Sequence, residues 1–122
     1  VEWIKSHWDG PLILKGIGDV EDARIALGTG ADAIVVSNHG GRQLDGAPAS
    51  IHMLPPILDE VGGRMEVHMD GGVRSGQDIV KAKALGADAV SIGRAYIHGL
   101  GAMGEKGVTR ALEILRKEAD VT

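Results

Sequence analysis

Two side chains three positions apart carry complementary chemistry. His39 and Arg42 stand in the stretch Ser37-Asn38-His39-Gly40-Gly41-Arg42-Gln43-Leu44-Asp45. An imidazole takes up a proton near neutral pH. A guanidinium grips a carboxylate through two parallel hydrogen bonds. Together they suit a small carboxylic acid that gives up a proton. Gly40 and Gly41 let the backbone turn between them and let a ligand come close. For this pair taken alone, a polar loop with an incidental histidine is the competing explanation.

Other polar residues repeat the placement. Lys15, Ser37, Asp70, Arg74 and Arg94 each stand where a candidate strand ends or in the loop after it. In parallel α/β folds ligands bind at the carboxyl ends of the strands, whereas the opposite edge serves stability. Lys15 suits stabilising negative charge on a cofactor ring, or snorkelling at a barrel mouth. Asp70 suits accepting hydrogen bonds from a polyol, or forming a turn before Gly71. Gly71, Gly72 and Gly93 permit close backbone approach. Arg74 and Arg94 add charge, and a helix starting near Ala95 aims N–H groups at an anion, so these two loops suit a phosphate. The competing explanation pairs those arginines with neighbouring carboxylates. His52, His68 and His98 have no spacing suited to a metal, and no metal site is expected. His68 reads as packed within a strand, and His7 as a helix-surface residue. Trp3 and Trp8 suit core or partner contacts. Glu113, Arg116, Lys117 and Glu118 read as a solvated helix face.

These groups need strands to position them. Strands are expected at 12–15, 33–36, 66–69 and 89–92. Residues 1–8 read as the end of a helix, with Ile4 and Trp8 on one face and Gly10-Pro11 breaking it. Asp19 suits an N-cap for a helix to Leu27 or Gly28. A third helix is expected over 53–61, with Pro55 and Pro56 in its first turn. Ser75 with Asp78 resembles a capping box for a helix to Leu85. A short helix from Ala95 and a longer one over 106–119 finish the chain. Strand and helix alternate four times, which predicts a parallel sheet with helices outside it. Gly30-Ala31-Asp32-Ala33 recurs 56 positions on as Gly86-Ala87-Asp88-Ala89, before the second and fourth strands. We read two βαβα units, each a quarter of an eight-stranded barrel.

Composition narrows the function. The 122 residues suffice for one small domain, and the net charge of −4 lacks the basic footprint of a nucleic-acid binder. No apolar run reaches membrane-spanning length. No charged-then-apolar leader opens the chain, which sets a cytoplasmic expectation. With no cysteine, disulfides, thiolate metal sites and cysteine nucleophiles are excluded. Both ends read as cut, Val1-Glu2-Trp3-Ile4 as a helix already under way and Ala119-Asp120-Val121-Thr122 without a terminator.

Ser-Asn-His-Gly-Gly-Arg-Gln-Leu-Asp, then His-Met-Asp-Gly-Gly-Val-Arg, then Ile-Gly-Arg-Ala resembles, in order and spacing, the FMN-dependent α-hydroxy-acid dehydrogenase/oxidase family. That family includes glycolate oxidase, lactate oxidase and dehydrogenase, mandelate dehydrogenase and flavocytochrome b2. The resemblance covers essentially the whole chain. It implies strands five to eight, the C-terminal half, of a (β/α)8 TIM barrel. It also implies oxidation of a 2-hydroxy acid to the 2-oxo acid with two electrons passed to FMN. His39 would be the active-site base and Arg42 the carboxylate clamp. Lys15 would sit by the flavin N1/O2 edge and Ser37 would contact the flavin. Asp70, Gly71, Gly72 and Arg74 would hold the ribityl–phosphate part, and Gly93 with Arg94 the phosphate. Two routes stay open, a hydride transfer with His39 taking the hydroxyl proton, or removal of the α-proton first.

The family's first barrel half is not in the chain. It carries substrate-binding tyrosines, further flavin contacts and the aspartate that orients the histidine. Residues 1–122 are therefore expected to be one half-barrel of a longer polypeptide, inactive alone. The expected partners are its N-terminal half or a second copy in a homo-oligomer. Two other functions fit parts of the pattern: a silent half-barrel that only binds phosphate or FMN, and another FMN barrel of the isomerase or IMP-dehydrogenase kind.

Overall fold

The computed structural model describes residues 1–122. In chain order it contains α1 (Glu2–Lys5), β1 (Ile13–Ile17), α2 (Val20–Leu27), β2 (Ala33–Val36), a single 3-10 turn (His39–Gly41), α3 (Ser50–Val61), β3 (Glu66–Met69), α4 (Gly76–Leu85), β4 (Ala89–Val90) and α5 (Arg94–Asp120). All four strands are parallel and lie in the order β1-β2-β3-β4. Four successive strand–helix units in sequence order make half the circuit of a (β/α)8 barrel, as expected from the alternation.

Register divides the sheet into two faces. Leu14, Ile34 and Val67 lie side by side, as do Ile17, Val36, Met69 and Val90. This face packs on Ala23 and Ala26 of α2, on Met53, Leu54, Ile57 and Val61 of α3, and on Ala82 of α4. The other face carries Ile13, Ala33 and Glu66 in one row and Lys15, Val35, His68 and Ala89 in the next. That row of mixed polarity is the inward wall of the half-circuit. His68 is mostly buried there and pairs with Glu66 Oε2 at 3.1 Å, in line with its reading as a packed residue.

Four boundaries differ from the expectations. Strand β1 runs on to Ile17 because Gly16, at φ +98°, makes a bulge that restores pairing with Val36. Strand β4 stops at Val90 rather than 92. It has one neighbour only, and Ser91 N–H makes its last bond to that neighbour, at Met69 O. Helix α3 begins at Ser50, three residues early, so Pro55 and Pro56 fall in its second turn. An interior proline costs about 3 kcal/mol. Burying Met53, Leu54, Ile57 and Val61 returns roughly 1.5–3 kcal/mol each and holds the helix together. Helix α1 ends at Lys5, not at residue 8. Ser6 Oγ and His7 Nδ1 both hydrogen-bond Trp3 O instead of extending the helix. His7 thus lies in the following turn, its ring 4.7 Å from that of Trp3. Trp3 and Trp8 are both exposed rather than core.

The two expected C-terminal helices are present as the two arms of α5. Met103 and Gly104, at φ −144° and +60°, break it between them. The arms run back along each other at Gly99 and Gly107, where added Cβ atoms would lie within 2.4 Å and 1.9 Å of backbone oxygen. No helix of the chain is long and apolar enough to cross a membrane.

Candidate active site

The site is built where the strands end. β2 delivers Ser37 and then turns sharply. Asn38 Oδ1 accepts the N–H groups of Gly40 and Gly41 at 3.0 and 3.2 Å. His39 is the one non-glycine residue with positive φ, at 55°, a conformation costing of order 1–3 kcal/mol. The turn aims its ring back at β1, where an added Cβ on Gly16 would lie 2.6 Å from His39 Nε2. The imidazole is therefore seated against the bare backbone of Gly16. Its ring makes no hydrogen bond within the chain.

Three neighbouring strand ends share one polar cluster. Lys15 Nζ pairs with Asp70 Oδ2 at 2.8 Å and donates to Ser37 Oγ at 3.0 Å. Ser37 Oγ also accepts His39 N–H at 3.1 Å. Ser37 is only 2% exposed, so it supports Lys15 and His39 from beneath rather than facing the cavity. The lysine is thus paired, not merely snorkelling. Asp70 Oδ1 is buried and has no hydrogen-bond partner.

Above this cluster opens a cavity of about 820 Å³. Lys15, His39, Arg42, Asp70, Gly71, Gly72, Arg74, Gly93 and Arg94 all line it. Of the ten residues expected in the site, Ser37 alone is not on the wall. Arg94 Nη2 donates to Gly40 O at 3.0 Å, tying the loop after β4 to the one after β2. Neither Arg42 nor Arg74 pairs with a carboxylate, so both guanidinium groups are free to meet an anion. Gly93 caps α5, and it lines the cavity together with Arg94 and Ala95, the first residues of that helix.

Sequence reasoning missed Asn38 and Ser50 as contributors. The first had a visible signal, an Asn before two glycines, which favours a side-chain-closed turn. The second had none, because Ser50 Oγ accepts Asn38 N–H across twelve residues, at 3.3 Å. Gln43, Ser91, Ile92 and His98 also line the cavity, the first three brought there by the loops after β2 and β4 and His98 by the first arm of α5.

A cavity on the carboxyl ends of a parallel barrel-type sheet, with imidazole and guanidinium beside glycines and further arginines, is a site suited to an anionic ligand and to proton transfer in a (β/α)8-type fold. Comparison with known proteins supplies the family. The model of the FMN-dependent dehydrogenase family matches residues 1–122. The L-lactate dehydrogenase of Actinobacillus pleuropneumoniae serotype 5b is 54% identical over 121 residues, covering 99% of this chain and 32% of its own length. That of Chromohalobacter salexigens is 54% identical, with 99% and 31% covered. Among solved structures, a mandelate oxidase mutant with the monooxide FMN adduct superposes with a TM-score of 0.93 at 54% identity, over 97% of this chain and 38% of that one. Mandelate oxidase with (S)-4-hydroxymandelic acid gives 0.92 at 55%, over 96% and 33%. The chain spans about a third of the length of these relatives. It belongs to the FMN-dependent dehydrogenase family.

The residues present fit the cofactor of that family, FMN. The unpartnered, buried Asp70 Oδ1 is an acceptor suited to a ribityl hydroxyl. Cβ atoms built on Gly72 and Gly93 meet nothing within 4 Å, leaving room for a phosphate against bare backbone. Arg74 and Arg94 supply the countercharge.

Proposed function

We propose that the polypeptide containing this chain oxidises a small L-2-hydroxy acid to the 2-oxo acid with FMN. Residues 1–122 form the C-terminal half of its barrel domain. The observation that carries this reading is the convergence of His39, Arg42, Lys15 and the Asp70–Arg74–Arg94 rim on one cavity. The names of the relatives, L-lactate dehydrogenase and mandelate oxidase, point to acids of that size and class.

In this reading Arg42 holds the substrate carboxylate through its fork of N–H groups. This fixes the 2-carbon beside the imidazole. His39 Nε2 receives a proton from the substrate. The acid loses two electrons and two protons in all, and FMN, when bound, supplies the two-electron acceptor. Lys15 places an ammonium where negative charge would develop on the cofactor, its own charge balanced by Asp70 at 2.8 Å. Arg74, Arg94 and the α5 N-terminus anchor the phosphate end. A carboxylate that fixes the imidazole tautomer and stabilises its charged form comes from the other barrel half. Residues 1–122 alone are therefore inactive, and work with that half, or within an oligomer.

The experiment is anaerobic mixing of the purified full-length protein with lactate, glycolate and mandelate. A yellow protein that bleaches with at least one of them is expected. A flavin-loaded protein that none of the three reduces, or a His39→Gln variant with intact turnover, would overturn the reading in favour of another FMN chemistry.

A further inference from the structure

We propose that Asn38 is a positioning residue that sets the His39 imidazole in its working place. The inference rests on reading His39 as the proton acceptor, and concerns a side chain that is not on the wall of the cavity. Asn38 makes bonds in every direction. Its Oδ1 accepts Gly40 N–H and Gly41 N–H at 3.0 and 3.2 Å, and its Nδ2 donates to Pro48 O at 3.2 Å. Its own N–H reaches Ser50 Oγ at 3.3 Å. The two glycine N–H groups belong to the residues directly after His39. Holding them closes the turn in which His39 keeps φ at 55°.

The alternative for a free His39 is a return to extended backbone, which would swing the ring off Gly16. Nothing on the imidazole itself prevents this, since the ring makes no hydrogen bond within the chain. Contacts to the backbone prevent it: Ser37 Oγ accepts His39 N–H at 3.1 Å, Asn38 O accepts Gly41 N–H at 3.0 Å, Arg94 Nη2 donates to Gly40 O at 3.0 Å, and the Asn38 side-chain amide alone holds Gly40 N–H. Asn38 is in turn locked. Ser50, 2% exposed at the start of α3, fixes its backbone. Gly71 leaves room for both, since a Cβ there would lie 2.8 Å from Ser50 Oγ and 3.0 Å from Asn38 Oδ1. The turn that carries the base and the turn that carries the anion cradle thus close on one shared pair, Asn38 and Ser50.

A carboxylate accepts the same two N–H groups as the amide, whereas a methyl accepts neither. Asn38→Ala and Asn38→Asp in the full-length FMN-loaded protein therefore separate positioning from simple loss of structure. In Asn38→Ala the rate of FMN reduction at saturating hydroxy acid is expected to fall about 10- to 100-fold, with KM and FMN affinity changed less than about threefold. Asn38→Asp should recover the rate to within about tenfold of the parent. Hydrogen exchange at Gly40, whose N–H has Asn38 Oδ1 as its acceptor, should speed at least about tenfold in the alanine variant and slow again in the aspartate variant. Parental kcat in Asn38→Ala, or unchanged exchange at that amide, overturns the proposal. If the parent protein reduces FMN with no hydroxy acid, the functional reading falls. The exchange data then still decide whether Asn38 holds the turn. If Asn38→Ala does not fold, Asn38→Ser, which keeps one acceptor, should give an intermediate rate, and a parental rate overturns the proposal.

Discussion

A single hydrogen atom at Gly16 decides where the His39 ring can lie. A methyl in its place would sit 2.6 Å from Nε2 and 3.1 Å from Cε1, on backbone at φ +98°. Gly16→Ala is therefore expected to displace the imidazole and to strain β1 by about 1–2 kcal/mol. The reading is a kcat at least about tenfold lower in the full-length protein, since a base moved by 1 Å can cost about a hundredfold, while the FMN phosphate rim keeps its affinity. Arg42 lines the same cavity and has no ion pair to lose. Under the function proposed above, Arg42→Leu would remove a charge-assisted contact to the substrate carboxylate, worth about 1.5–3 kcal/mol. Steady-state kinetics should then show kcat/KM lower by roughly 10- to 100-fold. Equal kinetics for an acid and its amide in the parent protein would count against a carboxylate clamp at this position.

Among the elements, the repeated Gly-Ala-Asp-Ala acquires a physical meaning. Asp32 N–H donates to Leu12 O while Asp32 Oδ2 accepts Leu12 N–H, at 2.8 and 2.7 Å. Asp88 does the same to Val67, with both distances 2.8 Å. Each Asp thus straps the start of one strand to the strand before it, on the edge opposite the cavity. The capping box is a second such device. Ser75 Oγ accepts Asp78 N–H, and Asp78 Oδ2 accepts the N–H groups of Arg74 and Ser75. Those bonds, the one from Arg74 N–H first, hold the Asp78 carboxyl below its ordinary range. A depressed carboxylate stabilises the fold above its unfolded value, about pH 4. The contribution fades as pH falls through that value towards the lower folded one. Thermal melts should show Ser75→Ala costing about 1 kcal/mol at neutral pH. Asp78→Ala should lose less stability between neutral pH and pH 3 than the parent does. These elements were legible because their signals are local: a β-branched run at 33–36 and Ser75 three residues before Asp78. The site residues were legible because each follows a strand. What escaped was tertiary. The start of α3 depends on four side chains finding the core, the end of β4 on a missing neighbour, and the role of Ser50 on a contact across the loop.

For the whole molecule the decisive fact is that the sheet has two open edges. β1 pairs with β2 alone and β4 with β3 alone, so each presents unpaired backbone groups along one side, a template for further pairing. Apolar side chains are exposed at the β1 edge and on α5. Ile13 is 45% exposed on β1 and Trp8 54% exposed just before it, while Ile97, Leu100 and Ile114 of α5 are 50%, 52% and 42% exposed. The inward face adds the Glu66–His68 pair and Lys15, polar groups that a closing set of strands would cover. The cavity lies over the strand ends, with Ile97, Ile114 and Leu115 of α5 on its wall. Under the function proposed above, the same strands that close the sheet also close the cavity. Binding of FMN and completion of the barrel are then coupled, each raising the affinity of the other by the same factor. Residues 1–122 alone are expected to sediment as a self-associated species, and to bind FMN weakly by fluorescence quenching. Adding the N-terminal half of the polypeptide should convert them to a defined complex and tighten FMN binding at least about tenfold, a coupling of about 1.4 kcal/mol or more. A monodisperse monomer whose FMN affinity ignores that addition would show that the cradle of Asp70, Arg74 and Arg94 is complete without the other strands.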